Sequence, residues 1–420
     1  MTAVDNLVQR EHRIPGLSTI LAPDRLANAV HARLGCRAID DIRLDYIRYK
    51  PGMNCIARYV MKVQGVSVNA YAKAHGPDAQ CKLEKAGTRA ASESVLGPGR
   101  VLIDKEGIVF SVFPNDAKLK AMQRLAEGAQ RERLLQRVFG TDSPWQEGEL
   151  DQSLNYKPER RYVARIKLSS GELALLKFHT RQGYHRALRN HGAANIVGHS
   201  SRRGVIAHRW LAGETLRDLG NAGRILPHHI AVTASALAAF HNGSPDVGVP
   251  SDRVLQIKAI EALGTQVGFL LPGLQSRAAV VAAKLAASLA GLETVHAPVH
   301  GDFYDKQVVI HGSSAALIDM DSVRLDDPLV DLGNYAAHLE RLCVSGGQSR
   351  DQIRQHLLTL TSSYLSAGGA VRESRLRQYM ALGLFSLIHQ PFRDFEEHWP
   401  EKMEQILSRV EDLIGGEQVI

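Results

Sequence analysis

Hydrophobic and polar positions divide the 420-residue chain into regions of different period. Up to about residue 45 the apolar positions recur at helical spacing, most clearly from Asp24 to Leu34. Strand-like segments then follow at Ile42–Tyr49, Asn54–Val63 and Val66–His75. A helix is predicted over Asp78–Ser94, with two more strands at Val101–Asp104 and Gly107–Phe113. Lys118–Val138 is a charged amphipathic helix, and residues 140–144 (Gly-Thr-Asp-Ser-Pro) form the best linker of the first half. From Glu214 the chain turns helical, through Leu226–Asn242, Ile257–Phe269, Gln275–Leu292 and Arg350–Ile414. Two short strand-like segments, Val308–Ile310 and Ala315–Ile318, interrupt these helices.

The strand-rich pattern occurs twice. Tyr49-Lys50-Pro51 returns as Tyr156-Lys157-Pro158 and Ala57-Arg58 as Ala164-Arg165, at one offset. Ala70, Lys73 and His75 return with the same spacing as Ala174, Lys177 and His179, and Phe113 matches Trp210. Order is kept throughout, which predicts an internal duplication of a unit of about 100 residues.

Composition narrows the function classes. At 44% hydrophobic the chain can bury a full core, and its length suits two to three domains. The net charge of +7 is a mild excess with scattered Lys and Arg; it suits a phosphate-rich partner without demanding nucleic acid. Cys36, Cys55, Cys81 and Cys343 are far apart, so neither a zinc ribbon nor a C-x-x-C redox site is expected, and a reducing cytoplasm fits. The N-terminus lacks an apolar signal core, and no apolar run spans a membrane. His179, His185, His191, His199 and His208 show no metal-ligand spacing, and no G-x-S-x-G motif is present.

The candidate chemistry lies between Val299 and Leu339. Apolar Ala297-Pro298-Val299 leads into the loop His300-Gly301-Asp302-Phe303. Gln307 stands five residues beyond Asp302, followed by the strand Val308–Ile310. After a turn, Ala315–Ile318 delivers Asp319, with Asp321 two residues on. The two strands form a predicted hairpin holding a carboxylate, an amide and a second carboxylate together. Phosphoryl transfer needs those types: one carboxylate to orient an attacking hydroxyl and take its proton, and hard oxygen ligands to hold Mg²⁺ on the β- and γ-phosphates. Asp302 is assigned the first task and Gln307 with Asp319 the second, while Asp321 serves a second metal or the loop.

The run His300-Gly301-Asp302, Ile318-Asp319-Met320-Asp321 and Asp326-Asp327-Pro328-Leu329-Val330-Asp331-Leu332 resembles the catalytic core of the aminoglycoside phosphotransferase/choline kinase-like family, small-molecule relatives of the protein kinases. Gln307 replaces that family's metal-binding Asn, and Asp326 the Gly of its G-D-P. The resemblance implies an α+β, bilobal protein kinase-like fold. Residues 146–212 are then a β-rich nucleotide lobe and hinge, residues 213–420 a mostly helical catalytic lobe, and residues 1–145 an extra α+β cap resembling a second small lobe. It implies ATP, or GTP, with Mg²⁺ as cofactors, and a small-molecule hydroxyl as acceptor. Lys177 is the implied phosphate lysine, with Lys73 of the first copy as the alternative. Arg160, Arg161 and the hinge residue Trp210 complete the nucleotide-contacting set. Asp331 and His300 are implied to brace the loop. Arg393, Asp394 and Glu397, in the helix break near the C-terminus, are candidates for the acceptor. The competing class is a pseudokinase that binds nucleotide or metabolite without turnover, which Gln307 and the lack of an acid in residues 182–189 favour.

Overall fold

The computed structural model of the protein describes residues 2–35, 38–190, 195–243, 248–293 and 295–416; Cys36 and His191 lie outside them. The chain divides into two compact units. The first comprises Met1–His185, Asn195–Trp210 and Phe392–Glu397; the second comprises Arg186–Ala194, Leu211–Pro391 and His398–Ile420.

In the first unit, β1 (Asp41–Lys50), β2 (Asn54–Val63), β3 (Val66–His75), β4 (Arg100–Ile103) and β5 (Ile108–Val112) form an antiparallel sheet of order β1-β2-β3-β5-β4. A second sheet, of β6 (Glu149–Lys157), β7 (Arg161–Lys167), β8 (Leu173–His179), β9 (Ile196–Ser200) and β10 (Val205–Arg209), has the corresponding order β6-β7-β8-β10-β9. The registers around the two lysine-bearing strands agree with the repeat. Lys73 stands opposite Ile56 and Val109, and Lys177 opposite Val163 and Ile206. Arg58 ion-pairs with Asp45 as its counterpart Arg165 does with Asp151. Alternating apolar positions put one face of each sheet into a common core, where Ile56, Tyr71, Leu135, Tyr156, Tyr162 and Phe178 are all buried. Burying each such side chain is worth roughly 1.5–3 kcal/mol, so the two copies hold one another in place.

Two predicted helices are shorter than their sequence pattern. The helix after β3 ends at Gly87, because Arg100 Nη1 donates to the carbonyls of Ala86 and Arg89 and closes the turn there. The expected Lys118–Val138 helix starts as a 3₁₀ turn, Lys120–Met122. It then breaks between Gln123–Ala126 and Gly128–Phe139, where Glu127 adopts an extended backbone.

The second unit is mostly helical, so the expected α+β class holds. Its helices include Pro227–His241, Arg253–Leu270, Gln275–Ala290, Leu329–Val344, Arg350–Ser366, Glu373–Leu387 and Trp399–Gly415. Among its described residues are the short strands β11 (Glu214–Thr215), β12 (Ala297–Val299), β13 (Val308–His311), β14 (Ser314–Leu317) and β15 (Arg324–Asp326). They form sheets of order β11-β13-β14 and β12-β15. Helices Leu329–Val344 and Glu373–Leu387 pack closely because Gly333 presents no side chain; a Cβ there would lie 2.6 Å from the backbone of Tyr379. Among the described residues no helix is long and apolar enough to cross a membrane.

Candidate active site

The hairpin predicted around residues 308–318 forms as β13–β14, with Val308 opposite Leu317. One step further, the amide of Ile318 donates to the carbonyl of Gln307 at 2.9 Å, so Gln307 sits across from the residue that precedes Asp319. Asp319 takes a left-handed backbone, φ +62°, at the strand end. That conformation is costly outside glycine and recurs at functional turns. Asp321 follows in the 3₁₀ turn Met320–Ser322.

The loop after β12 is tied to this hairpin. His300 is fully buried, and its Nε2–H donates to the Ile318 carbonyl at 2.8 Å, leaving Nδ1 to face the Asp302 amide at 3.4 Å. Asp331, in the first turn of its helix, accepts from the amides of His300 (2.6 Å) and Gly301 (2.8 Å) and from His241 Nε2 (3.0 Å). Burial alone would raise the Asp331 pKa. The His241 hydrogen bond and charge, with His300 and the Gly301 amide, instead hold it below its ordinary value of 3.8. One helical turn on, Asn334 Nδ2 donates to the Phe303 carbonyl at 2.9 Å. Gly301 has φ +78°, and a Cβ there would lie 2.4 Å from the Ser322 carbonyl, so the loop admits no side chain at that position. Asp302 itself is exposed at the loop tip.

Tyr304 reports on the charges gathered here. Its pKa is pushed up to about 12, first by burial and then by the negative charges of Asp302, Asp319 and Asp305. Its ring stacks on His338 at 4.1 Å. Asp305 is itself buried and neutralised by Arg217, 2.7 Å from Nη2. Asp326, where the motif has Gly, needs no glycine conformation. Its carboxylate takes Gln256 Nε2 and Arg324 Nε, each at 3.1 Å, and the Asp327 amide at 2.9 Å.

Gln307 and Asp319 offer an amide oxygen and a carboxylate. That set fits Mg²⁺, a hard cation that keeps water and phosphate oxygens among its ligands. Among the described residues no three His, Cys, Asp or Glu side chains gather to hold a metal by themselves.

In the other unit, Lys177 is buried on β8, Arg160 is exposed and Arg161 half-buried at the β6–β7 turn. Trp210 follows β10 and carries the Arg165 guanidinium 4.8 Å above its ring. Lys73 is engaged differently: its Nζ donates to both oxygens of Glu159, at 3.0 and 2.9 Å. Glu159 occupies the β6–β7 turn with φ +55°, the place held in the first copy by Gly52 with φ +67°. Arg393 lies 3.6 Å from Asp394; Glu397 is exposed, and the whole segment Phe392–Glu397 groups with the first unit, Phe392 packing edge-on to Tyr49.

Glu159, Tyr304, Asn334, His241 and the Arg217–Asp305 pair were not singled out from the sequence. Only Asn334 carried a local signal, standing three residues after Asp331 on one helical face.

Residues 152–356, just under half of the chain, match the phosphotransferase enzyme family (APH). A search of curated proteins returns no match. Among solved structures, a choline/ethanolamine kinase family protein from Mesorhizobium loti is 15% identical, covering 65% of this chain and 91% of its own, with TM-score 0.47. Choline kinase LicA from Streptococcus pneumoniae is 16% identical (63% and 93% covered, TM-score 0.45). A thermostable aminoglycoside phosphotransferase APH(4)-Ia, in a ternary complex with AMP-PNP and hygromycin B, is also 16% identical (68% and 97% covered, TM-score 0.47). Over residues 152–356, then, this chain is similar to the phosphotransferase enzyme family.

Proposed function

We propose that the protein transfers the γ-phosphoryl group of ATP, or of GTP, to a hydroxyl of a small molecule in the cytoplasm. The acceptor class is an aminoglycoside or other antibiotic, a sugar or an amino alcohol. The observation that carries this reading is the bracing of the Asp302 loop and the Gln307–Asp319 hairpin around Ile318, with Asp302 and Asp319 both felt by Tyr304. Such fixed placement is what phosphoryl transfer draws on, since positioning and electrostatics supply most of its acceleration.

In this mechanism Asp302 accepts a hydrogen bond from the acceptor hydroxyl and takes its proton as the oxygen bonds to the γ-phosphorus. The bridging bond to the β-phosphate breaks, and nucleoside diphosphate leaves. Gln307 and Asp319 would hold Mg²⁺, which when bound neutralises charge on the β- and γ-phosphates. His300 and Asp331 keep the loop in place. Lys177, Arg160, Arg161 and Trp210 face the nucleotide, Lys177 neutralising its α- and β-phosphates. Arg393, Asp394 and Glu397 are the acceptor-binding candidates. In the same proposal, residues 146–212 form the nucleotide lobe and residues 213–420 the catalytic lobe.

Two observations favour Lys177 over Lys73 as the phosphate lysine. Lys73 is already neutralised by Glu159, and the family match covers Lys177 but begins after Lys73. Lys177→Met is therefore expected to weaken ATP binding at least tenfold, measured by calorimetry, and Lys73→Met by less than threefold. The opposite ranking would move the nucleotide to the first copy. Turnover itself is tested by ADP release from Mg-ATP with a panel of hydroxyl acceptors.

A further inference from the structure

A cavity lies against the sheet of the first copy. A pocket of about 750 Å³ opens on the face of β3 that carries Lys73 and Tyr71, walled by the helix Ala79–Gly87 and by Ser111, Lys118 and Glu159. That volume falls in the range of small-molecule sites.

Its charge is one-sided. Lys73, Lys82, Lys85, Arg89, Arg100 and Lys118 line it against only two carboxylates, Asp78 and Glu159. His75, also in the lining, is kept neutral near pH 7: burial first, then Lys73, lowers its pKa to about 4. Glu159 answers Lys73 at 2.9 Å and lies 3.6 Å from Lys118. Its own carboxyl, which burial would raise, is held below the ordinary range mainly by Lys73. Among the described residues, Lys82, Lys85 and Arg89 form no ion pair. They fall at positions i, i+3 and i+7, so they project from one side of the helix and the turn that ends it. Like charges gathered around one concave site repel one another, and an anion relieves that cost.

The buried carboxylate of the lining, Glu159, shows which chemistry the wall accepts: a planar oxyanion taking two contacts from one ammonium. The space beside it, faced by three unpaired cations, takes a larger one. We infer that this pocket binds a diphosphate-bearing small molecule, its phosphates on Lys82, Lys85 and Arg89 beside the Lys73–Glu159 pair. None of its lining residues belongs to the set assigned above to phosphoryl transfer, so the inference stands apart from that assignment.

The probe is inorganic pyrophosphate without magnesium, titrated calorimetrically into the full chain. The wild-type protein is expected to bind it saturably. Lys82→Ala combined with Arg89→Ala should weaken that binding at least tenfold; both side chains are exposed, so their loss leaves the core intact. Lys177→Met and Asp302→Asn should leave it within twofold. No binding at millimolar pyrophosphate would overturn the inference. So would unchanged affinity in the double variant, or loss of binding in Lys177→Met alone, which would place the anion on the second copy. Reduced acceptor phosphorylation in Asp302→Asn with pyrophosphate binding retained would uphold both assignments separately.

Discussion

Asp302→Asn is expected to lower kcat by roughly 10²–10⁴-fold while ATP binds as before. Asparagine keeps the shape and hydrogen-bonding reach of the side chain but cannot take the hydroxyl proton. Asp302 stands exposed at the tip of a loop whose base is fixed by His300 and Asp331, so its replacement should not disturb the fold. Measuring kcat and ATP affinity together separates the roles. Normal turnover in the variant removes Asp302 from the chemistry, and lost ATP binding with unchanged kcat would make it a ligand-binding residue instead.

Asp331→Ala should cost about 3–5 kcal/mol of stability. Its carboxylate is fully buried and accepts from two loop amides and from His241, so its removal strands three donors in a dry interior. The denaturant midpoint measures this directly; a loss below 1 kcal/mol would mean that water replaces the carboxylate. The same residue sets a pH dependence. Its folded pKa lies below the ordinary 3.8, so as pH falls the unfolded chain takes up the proton first. The stabilisation is complete well above pH 3.8 and drains as pH falls through the folded value, a trend that should be absent in Asp331→Ala.

Much of this was legible in the sequence, for physical reasons. Period-2 alternation and the repeat placed β1 to β3 to within a residue, and the repeated Ala-x-x-Lys-x-His spacing brought Lys73 and Lys177 to equivalent registers. The hairpin and the loop at His300 were readable because turn residues and strand length are local signals. What stayed hidden depends on partners far along the chain. Lys73 meets Glu159 across 86 residues, and Arg217 meets Asp305 across 88. The break at Glu127 goes against a regular helical pattern, since packing overrides propensity there. The placing of Phe392–Glu397 with the N-terminal unit is likewise a tertiary choice that no local pattern encodes.

The central claim is acceptor-dependent phosphoryl transfer. Incubating the wild-type protein with Mg-ATP and a broad set of hydroxyl-bearing acceptors, and following ADP release and phosphomonoester by phosphorus NMR, measures it most directly. The account predicts that at least one acceptor raises ADP release well above the acceptor-free rate, with one phosphomonoester formed per ADP. Tight ATP binding without acceptor-stimulated ADP or monoester across the whole panel would contradict it and leave a nucleotide-binding protein without turnover.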